Sequence, residues 1–262
     1  MRNLPLVSIV TPSFNQAQYL EETIKSVLAL DYPRIEYIVV DGGSTDGSVE
    51  IIHEYQDKLS WWISEPDEGQ TGAINKGFDH ASGEIYAWIN SDDTYFPHAV
   101  SEAVEYLTEN PEVGMVYGDA NFINSQGKFI GQFNAKQTDY KRLRRGGVYI
   151  PQQAAFWRGS LWKQVAPLDP SFYFAMDYDL WLRLARISEI VYTPRLWANF
   201  RLHDDAKTIH ADDQCWPEMI RIHKRDGGGW LSSIYARYYL RRLLSPIITK
   251  RRRSMYNMSG EG

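Results

Sequence analysis

LVSIVTPSFNQAQYLEETIKSVLALDYPRIEYIVVD, Leu6 to Asp41, is the stretch that sets the fold class. Leu6 to Thr11 (LVSIVT) is a short apolar run that reads as a buried strand. Leu20, Ile24, Val27 and Leu28 then recur at helical spacing, with Glu21 and Glu22 expected in the first turn. Ile35 to Val40 (IEYIVV) is β-branched again and ends on a carboxylate, Asp41. Two strands separated by a helix of about ten residues call for parallel pairing through a right-handed crossover, with helices on both faces of the sheet.

Outward from this unit the alternation continues. The turn-rich DGGSTDGS (41–48) leads to a second helix through Val49, Ile51, Ile52 and Tyr55, and Leu59 to Ser64 repeats the strand pattern. A loop from Glu65 to Gln70, a helix near Thr71 to His80 and a strand at Glu84 to Asn90 follow. Pro97 suits the first turn of a further helix that Pro111 ends, and Val113 to Tyr117 reads as a fifth strand. Beyond Asn121 the pattern loosens into a hairpin around Asn124 to Gly127, a basic helix near Asp139 to Arg145 and an apolar segment at Ala154 to Trp157. In parallel sheets ligands bind at the carboxyl ends of the strands, so the loops after Val10, Val40, Ser64 and Ile89 are expected to converge.

Composition narrows the classes. With 262 residues, 44% apolar and 23% charged, the chain can bury a core and is neither disordered nor fibrous. Cys215 is the only cysteine, which excludes an internal disulfide or a multi-thiolate zinc site and suits a reducing, cytoplasmic setting. The N-terminus lacks the h-region of a signal peptide, and no run reaches the roughly 18 apolar residues of a membrane span. Charge is uneven: seven of the 28 Lys+Arg but only one of the 33 Asp+Glu lie in residues 227–262. An acidic body argues against a general nucleic-acid partner, because displacing phosphate counterions needs a basic face.

Candidate chemistry sits at the predicted strand ends. In NSDD (Asn90 to Asp93), two adjacent carboxylates can hold one hard divalent ion, or they can simply end the strand and cap the next helix. Asp41 can only accept hydrogen bonds, which favours a base presenting an N–H, uracil first; the glycines after it permit tight turns near a ligand, or a bare turn. The loop has neither GxGxxG spacing nor a P-loop lysine, which disfavours dinucleotide and ATP-type sites. In AMDYDLWLRLAR (Ala175 to Arg186), Leu180, Leu184 and Ile187 form an apolar stripe and Asp179 can pair with Arg183. Asp177 stands at the helix entrance, as a cap or as a base. Gln153 after Pro151 is a polar residue that could hydrogen-bond a sugar, or only water, and His203 in NFRLHDDAKT is a lone loop histidine of the kind that is ordinarily solvated.

Taken together, IVTPSFNQAQYLEETIKSVL, YIVVDGGSTDGS and EPDEGQTGAINKGFDHASGEIYAWINSDD resemble the nucleotide-diphospho-sugar transferase domain of family 2 glycosyltransferases. The resemblance runs from about Leu6 to His203 and thins between Gly131 and Val148. It implies a GT-A fold, an α/β architecture with a Rossmann-like, mostly parallel sheet flanked by helices, here with a C-terminal helical extension. Residues 1–120 would be the nucleotide-sugar-binding half, 121–210 the acceptor-side half and 211–262 the basic extension. By position, Thr11, Pro12 and Asp41 would contact the nucleoside, while Asp67, Gln70 and Asn75 would border the donor. Asp92 would ligate Mn²⁺ or Mg²⁺, with Asp93 and His203 as further metal candidates; Asp177 would be the catalytic base, and Gln153 a sugar or acceptor contact.

Two departures stand out: Asn90 where members often carry a carboxylate, and Met176 in place of the usual first acid before the Leu-Trp helix. The expected activity is inverting transfer of a sugar, UDP-linked first, to a hydroxyl of a saccharide or lipid-linked glycan. The alternatives are a nucleotidyltransferase making sugar nucleotides and a non-catalytic nucleotide-sugar-binding module. The tail WLSSIYARYYLRRLLSPIITKRRR, with seven cations, could place Trp230, Ile234, Tyr238 and Leu244 on one apolar arc. That arc would serve an anionic membrane's inner face, or would pack on the domain.

Overall fold

The computed structural model describes residues 4–203 and 212–240. A nine-stranded sheet runs through it in the order β3-β2-β1-β4-β8-β6-β9-β5, with β7 beside β6. The first strands are β1 (Val7–Ser13), β2 (Ile35–Asp41), β3 (Trp61–Ser64) and β4 (Ile85–Trp88), all mutually parallel as the sequence predicts. Their crossovers are helices α1 (Ala17–Leu28), α2 (Ser48–Tyr55) and α3 (Gln70–His80). Because α1 begins at Ala17, Glu21 and Glu22 fall in its second turn rather than its first.

Alternation along each strand explains the near-continuous apolar runs. Val7, Ile9, Tyr37 and Val39 face one core with Leu20, Ile24 and Val27 of α1 and with Val100, Val104 and Leu107 of α4 (Ala99–Glu109). Val10, Ile38 and Val40 face the other core, with Ile74 and Phe78 of α3. A sheet covered on both faces needs apolar side chains at every position. The α3 contact is close enough that a Cβ on Gly77 would stand 2.4 Å from Val10 Cγ1, so glycine is required there.

The second half departs from simple alternation. After the short β5 (Thr94–Tyr95), strand β6 runs from Val113 to Ile123, well past its predicted end, and pairs with β7 (Phe129–Gln132) through the expected hairpin. β8 (Ala155–Arg158) enters antiparallel between β4 and β6, so the fifth predicted strand is not a neighbour of the fourth. β9 (Glu189–Arg201) pairs parallel with β6 and returns the chain to the NSDD loop. The basic helix shrinks to α5 (Tyr140–Leu143), capped by Asp139, whose carboxylate accepts from the Arg142 N–H at 2.8 Å. Helices α6 (Gly159–Val165), α7 (Met176–Ile187) and α8 (Asp212–Arg225) close the β4-β8-β6 face.

The tail divides. Residues 233–240 are helical, with Ile234 fully buried against Gly146 and the Arg237 guanidinium donating to the Gly146 carbonyl, so packing on the domain holds at this point. Trp230, 75% exposed, does not share Ile234's side of the arm. Arg241, Arg242 and Leu244 lie outside the described residues. Among the described residues no helix is long and apolar enough to cross a membrane.

Candidate active site

The four predicted loops meet. A cleft of about 940 Å³ is lined by Pro12, Ser13 and Gln16 after β1, Gly42 and Gly43 after β2, Asp67 and Gln70 after β3, and Asn90 and Asp92 after β4. The far wall comes from the second half: Ile150 and Gln153 before β8, Met176 and Asp177 on α7, Phe200 on β9, and Cys215 and Met219 on α8. The wall from the first half mixes polar groups with Phe14 and Trp88, and that from the second is largely apolar. Among the described lining residues there are three carboxylates, Asp67, Asp92 and Asp177, and no Lys or Arg.

The loop after β2 is built by its own carboxylate. Asp41 is fully buried and accepts from the Gly43 and Ser44 N–H groups, at 3.0 and 2.8 Å, and from the Ser44 and Ser64 hydroxyls, at 2.5 and 2.7 Å. It therefore lies beneath the cleft wall, holding Gly42 and Gly43 on the surface. Gly43 adopts φ +82°, which glycine reaches without strain. Thr11 is likewise buried, with its hydroxyl 3.1 Å from that of Tyr37. Asn75 sits away from the cleft and brackets Leu168, donating to its carbonyl at 2.9 Å and accepting from its N–H at 2.8 Å. Pro12, Asp67 and Gln70 do line the cleft; Asp67 accepts from the Gly69 N–H at 2.7 Å, and Gln70 Nε2 donates to Asn90 Oδ1 at 2.7 Å.

NSDD splits its two aspartates. Asp92 faces the cleft and Asp93 turns inward, where it is fully buried and accepts from the Arg201 N–H at 2.8 Å. Burial, then the Asp92 charge, holds the Asp93 carboxyl well above the usual carboxylate range, and it caps no helix. The geometry separates Asp93 from Asp92 as a shared ion site, because consecutive residues leaving a strand point to opposite sides. His203 takes the place expected of Asp93: its Nε2 lies 3.0 Å from Asp92 Oδ2. One carboxylate and one imidazole form an N,O donor pair suited to a divalent ion whose other ligands are phosphate and water oxygens. No group of three such side chains gathers among the described residues.

Arg201, two residues before His203, is the hub that sequence reasoning passed over. It is buried and donates from Nε to the Asp92 carbonyl at 2.8 Å and from Nη1 to the Asn124 carbonyl at 3.2 Å. Its Nη2 meets Glu22 at 2.6 Å, and its guanidinium lies 4.9 Å from the Tyr19 ring centre. It locks the turn that presents Asp92.

Asp177 is placed by α7. Trp181, one turn later on the same face, is fully buried and stacks on Trp88 at 5.6 Å beneath the cleft, with Trp157 set edge-on to both. Asp177 is thereby carried to the cleft floor in the first turn; Ala175, not Asp177, is the N-cap, and Asp177 accepts from the Tyr178 N–H at 2.7 Å. Desolvation pushes its carboxyl up to about 6. The Asp179–Arg183 pair forms at 3.0 Å but is buried, and Arg225 of α8 joins it. Gln153 is buried at the cleft wall, and its Nε2 has no hydrogen-bond partner among the described residues.

A parallel α/β sheet whose strand ends carry a paired carboxylate and imidazole, with a second carboxylate raised into the same cleft, defines a glycosyltransferase of the GT-A fold. The chain belongs to glycosyl transferase family 2, whose model matches residues 8–164. It is 35% identical over 196 residues to an uncharacterized glycosyltransferase of Mycobacterium tuberculosis, covering 73% of each chain. It is 30% identical over 219 residues to one of Rickettsia typhi, covering 80% of this chain and 68% of that one. Two solved structures share the fold. S. aureus TarS 1-349 in complex with UDP-GlcNAc has a TM-score of 0.68 at 18% identity, covering 92% of this chain and 73% of that one. The mannosyltransferase PcManGT from Pyrobaculum calidifontis, in complex with GDP-Man and Mn²⁺, has a TM-score of 0.67 at 19% identity, covering 100% and 77%.

Proposed function

We propose that the chain transfers a sugar from a nucleoside-diphosphate donor, UDP-linked, to a hydroxyl of a saccharide or lipid-linked glycan, with inversion at the anomeric carbon. The observation that carries this is the presence of Asp92 and Asp177 on separate elements around one cleft large enough for a nucleotide sugar. Structures of the same fold that hold UDP-GlcNAc or GDP-Man support the donor class. Gly42 and Gly43 give the nucleoside a backbone surface over Asp41, and Asp67 and Gln70 border the donor. Gln153 offers its unpaired Nε2 to a sugar oxygen.

Asp92 and His203 would hold Mn²⁺ or Mg²⁺, which supplies positive charge to the departing diphosphate; a cleft lined by carboxylates has no other described source of it. The acceptor oxygen attacks the anomeric carbon from the side opposite the diphosphate, the bond to the diphosphate oxygen breaks, and the acceptor proton passes to Asp177. The products are the glycoside and the nucleoside diphosphate, with no covalent enzyme intermediate. Slow hydrolysis of a panel of UDP- and GDP-sugars in Mn²⁺ tests the donor. Turnover of a UDP-sugar is expected; turnover of GDP-sugars alone would overturn the choice of uracil as the nucleobase, and none at all the donor class.

The arm beyond α8 supports contact with an anionic membrane at the cytoplasmic face. Trp230, Leu231, Tyr239 and Leu240 are 57–82% exposed, and the chain's excess cations follow them. The full chain is expected to pellet with anionic but not zwitterionic vesicles, and the Trp230→Ala/Leu231→Ala variant to pellet several-fold less. Equal recovery from both vesicle types would remove the membrane reading.

A further inference from the structure

Helix α8 lies wholly beyond the residues matched by the family model, yet it holds the segment that delivers Asp177. Glu218 is the main contact. Its Oε1 accepts from the Tyr173 N–H at 3.0 Å, and its Oε2 accepts from the Phe174 and Ala175 N–H groups, both at 2.8 Å. These three donors precede the first turn of α7, and Ala175, the N-cap, has no capping side chain of its own. A carboxylate from another element thus serves the helix N-terminus, where negative charge is favoured.

Neighbouring contacts reinforce the attachment. Arg221 donates to the Ser171 carbonyl and hydroxyl, at 2.9 and 2.8 Å; it also covers the Phe172 ring at 4.6 Å. From the opposite side, the Thr71 hydroxyl of α3 lies 3.3 Å from the Phe172 carbonyl and 3.0 Å from Met176 Sδ.

We propose that Glu218 is a positioning residue for the glycosyl transfer reaction: it fixes the 173–175 turn so that Asp177 meets the acceptor hydroxyl. The inference rests on the reading of Asp177 as the base. Geometry carries it: three backbone N–H groups of the turn converge on one carboxylate. Burial is the main cause that raises the Asp177 carboxyl, and the Glu218 charge adds to it in the same direction.

The other charged groups on the packed elements are accounted for. Asp179 is engaged by Arg183 and Arg225, and Arg221 by Ser171, while Asp67 and Asp92 line the same cleft. Glu218 contributes no lining atom to the cleft and would touch neither donor nor acceptor. Met176, the residue before the base, is a thioether that adds no charge beside it.

The test uses the full chain with Glu218→Gln and Glu218→Ala, each checked by thermal unfolding, beside Asp177→Asn. In Glu218→Gln one amide oxygen can still serve two of the three N–H groups, but the charge is gone. Its kcat is expected to fall only a few-fold, and any movement of the acid limb of kcat/KM is expected toward lower pH. Glu218→Ala frees all three donors, and its kcat is expected to fall roughly 10- to 100-fold, with donor KM and UDP–Mn²⁺ affinity within about twofold.

A merely structural role would lower UDP–Mn²⁺ affinity and raise donor KM along with the loss of kcat in Glu218→Ala, and that result overturns the positioning role. Wild-type kcat and an unshifted limb in both variants would overturn the whole inference while leaving Asp177 in place. Full turnover by Asp177→Asn would instead remove the reading on which the inference stands.

Discussion

Asp177→Asn is expected to lower kcat by about a thousandfold while UDP binding in Mn²⁺ stays within about twofold. The amide has the carboxylate's shape, and its oxygen can still accept from the Tyr178 N–H, so the turn and the Trp181 anchor are preserved. It cannot take a proton, and general-base assistance is worth about 10²–10⁴-fold. In the wild type, kcat/KM should be full above pH 6 and fall about tenfold per unit below, because burial pushes the Asp177 carboxyl up to about 6.

The stability sign runs the other way. A carboxyl whose pKa is raised by folding binds its proton more tightly in the native state. Its contribution to stability therefore declines as pH rises from the unfolded carboxyl's range to about 6 and stays lower above it. Asp177→Asn should accordingly be no less stable than wild type at pH 7.5 by thermal unfolding. Retained turnover with the acid limb unchanged would dismiss Asp177 as the base, whereas loss of UDP binding would recast it as a donor contact. A binding module without catalysis would show no dependence of product formation on this residue at all.

Asp92→Ala is expected to abolish the metal-dependent part of donor affinity. Titration calorimetry of UDP with and without Mn²⁺ should show a large increment in the wild type and little or none in the variant. Loss of a group merely supporting a metal ligand typically costs 10- to 100-fold, so that is the floor for this one. The reason is electrostatic: the described cleft presents Asp67, Asp92 and Asp177 to a diphosphate and no Lys or Arg, so anion binding there must be cation-assisted. Asn90 is a weak substitute, since its Oδ1 is neutral and already accepts from Gln70 at 2.7 Å. Equal UDP affinity in the wild type with Mn²⁺, the wild type without it, and the variant would dispose of the metal site. Because this readout is binding alone, it separates from the catalytic test of Asp177.

Much of the site was legible locally. DGGSTDGS, EPDEGQ and NSDD each follow an apolar strand, and strand-end loops of a parallel sheet have one place to go. What misled was the assumption that a residue in such a loop faces the ligand. Asp41 points inward because its own loop's N–H groups need a buried acceptor, and Asp93 because the Arg201 N–H of β9 does; a short carboxylate is well shaped for both tasks. Asn75 was read as a donor neighbour, but one turn along α3 it faces Leu168 instead. β9 was missed because EIVYTPRLWANFR carries a proline and several polar residues, and its pairing with β6 comes from a distant segment.

Sequence by itself determined the parallel β-α-β half, the convergence of its loops, the family and the acidic segments proposed to supply the chemistry. Those are properties of local hydrophobic period and turn composition, which a chain carries wherever it folds. Only the tertiary structure decided which aspartate of NSDD reaches the cleft, that His203 meets it, and that Arg201 and Glu218 hold Asp92 and Asp177 in place. Each of those choices depends on two side chains between about 40 and 180 positions apart competing for the same few hydrogen bonds, and no local pattern records which one wins.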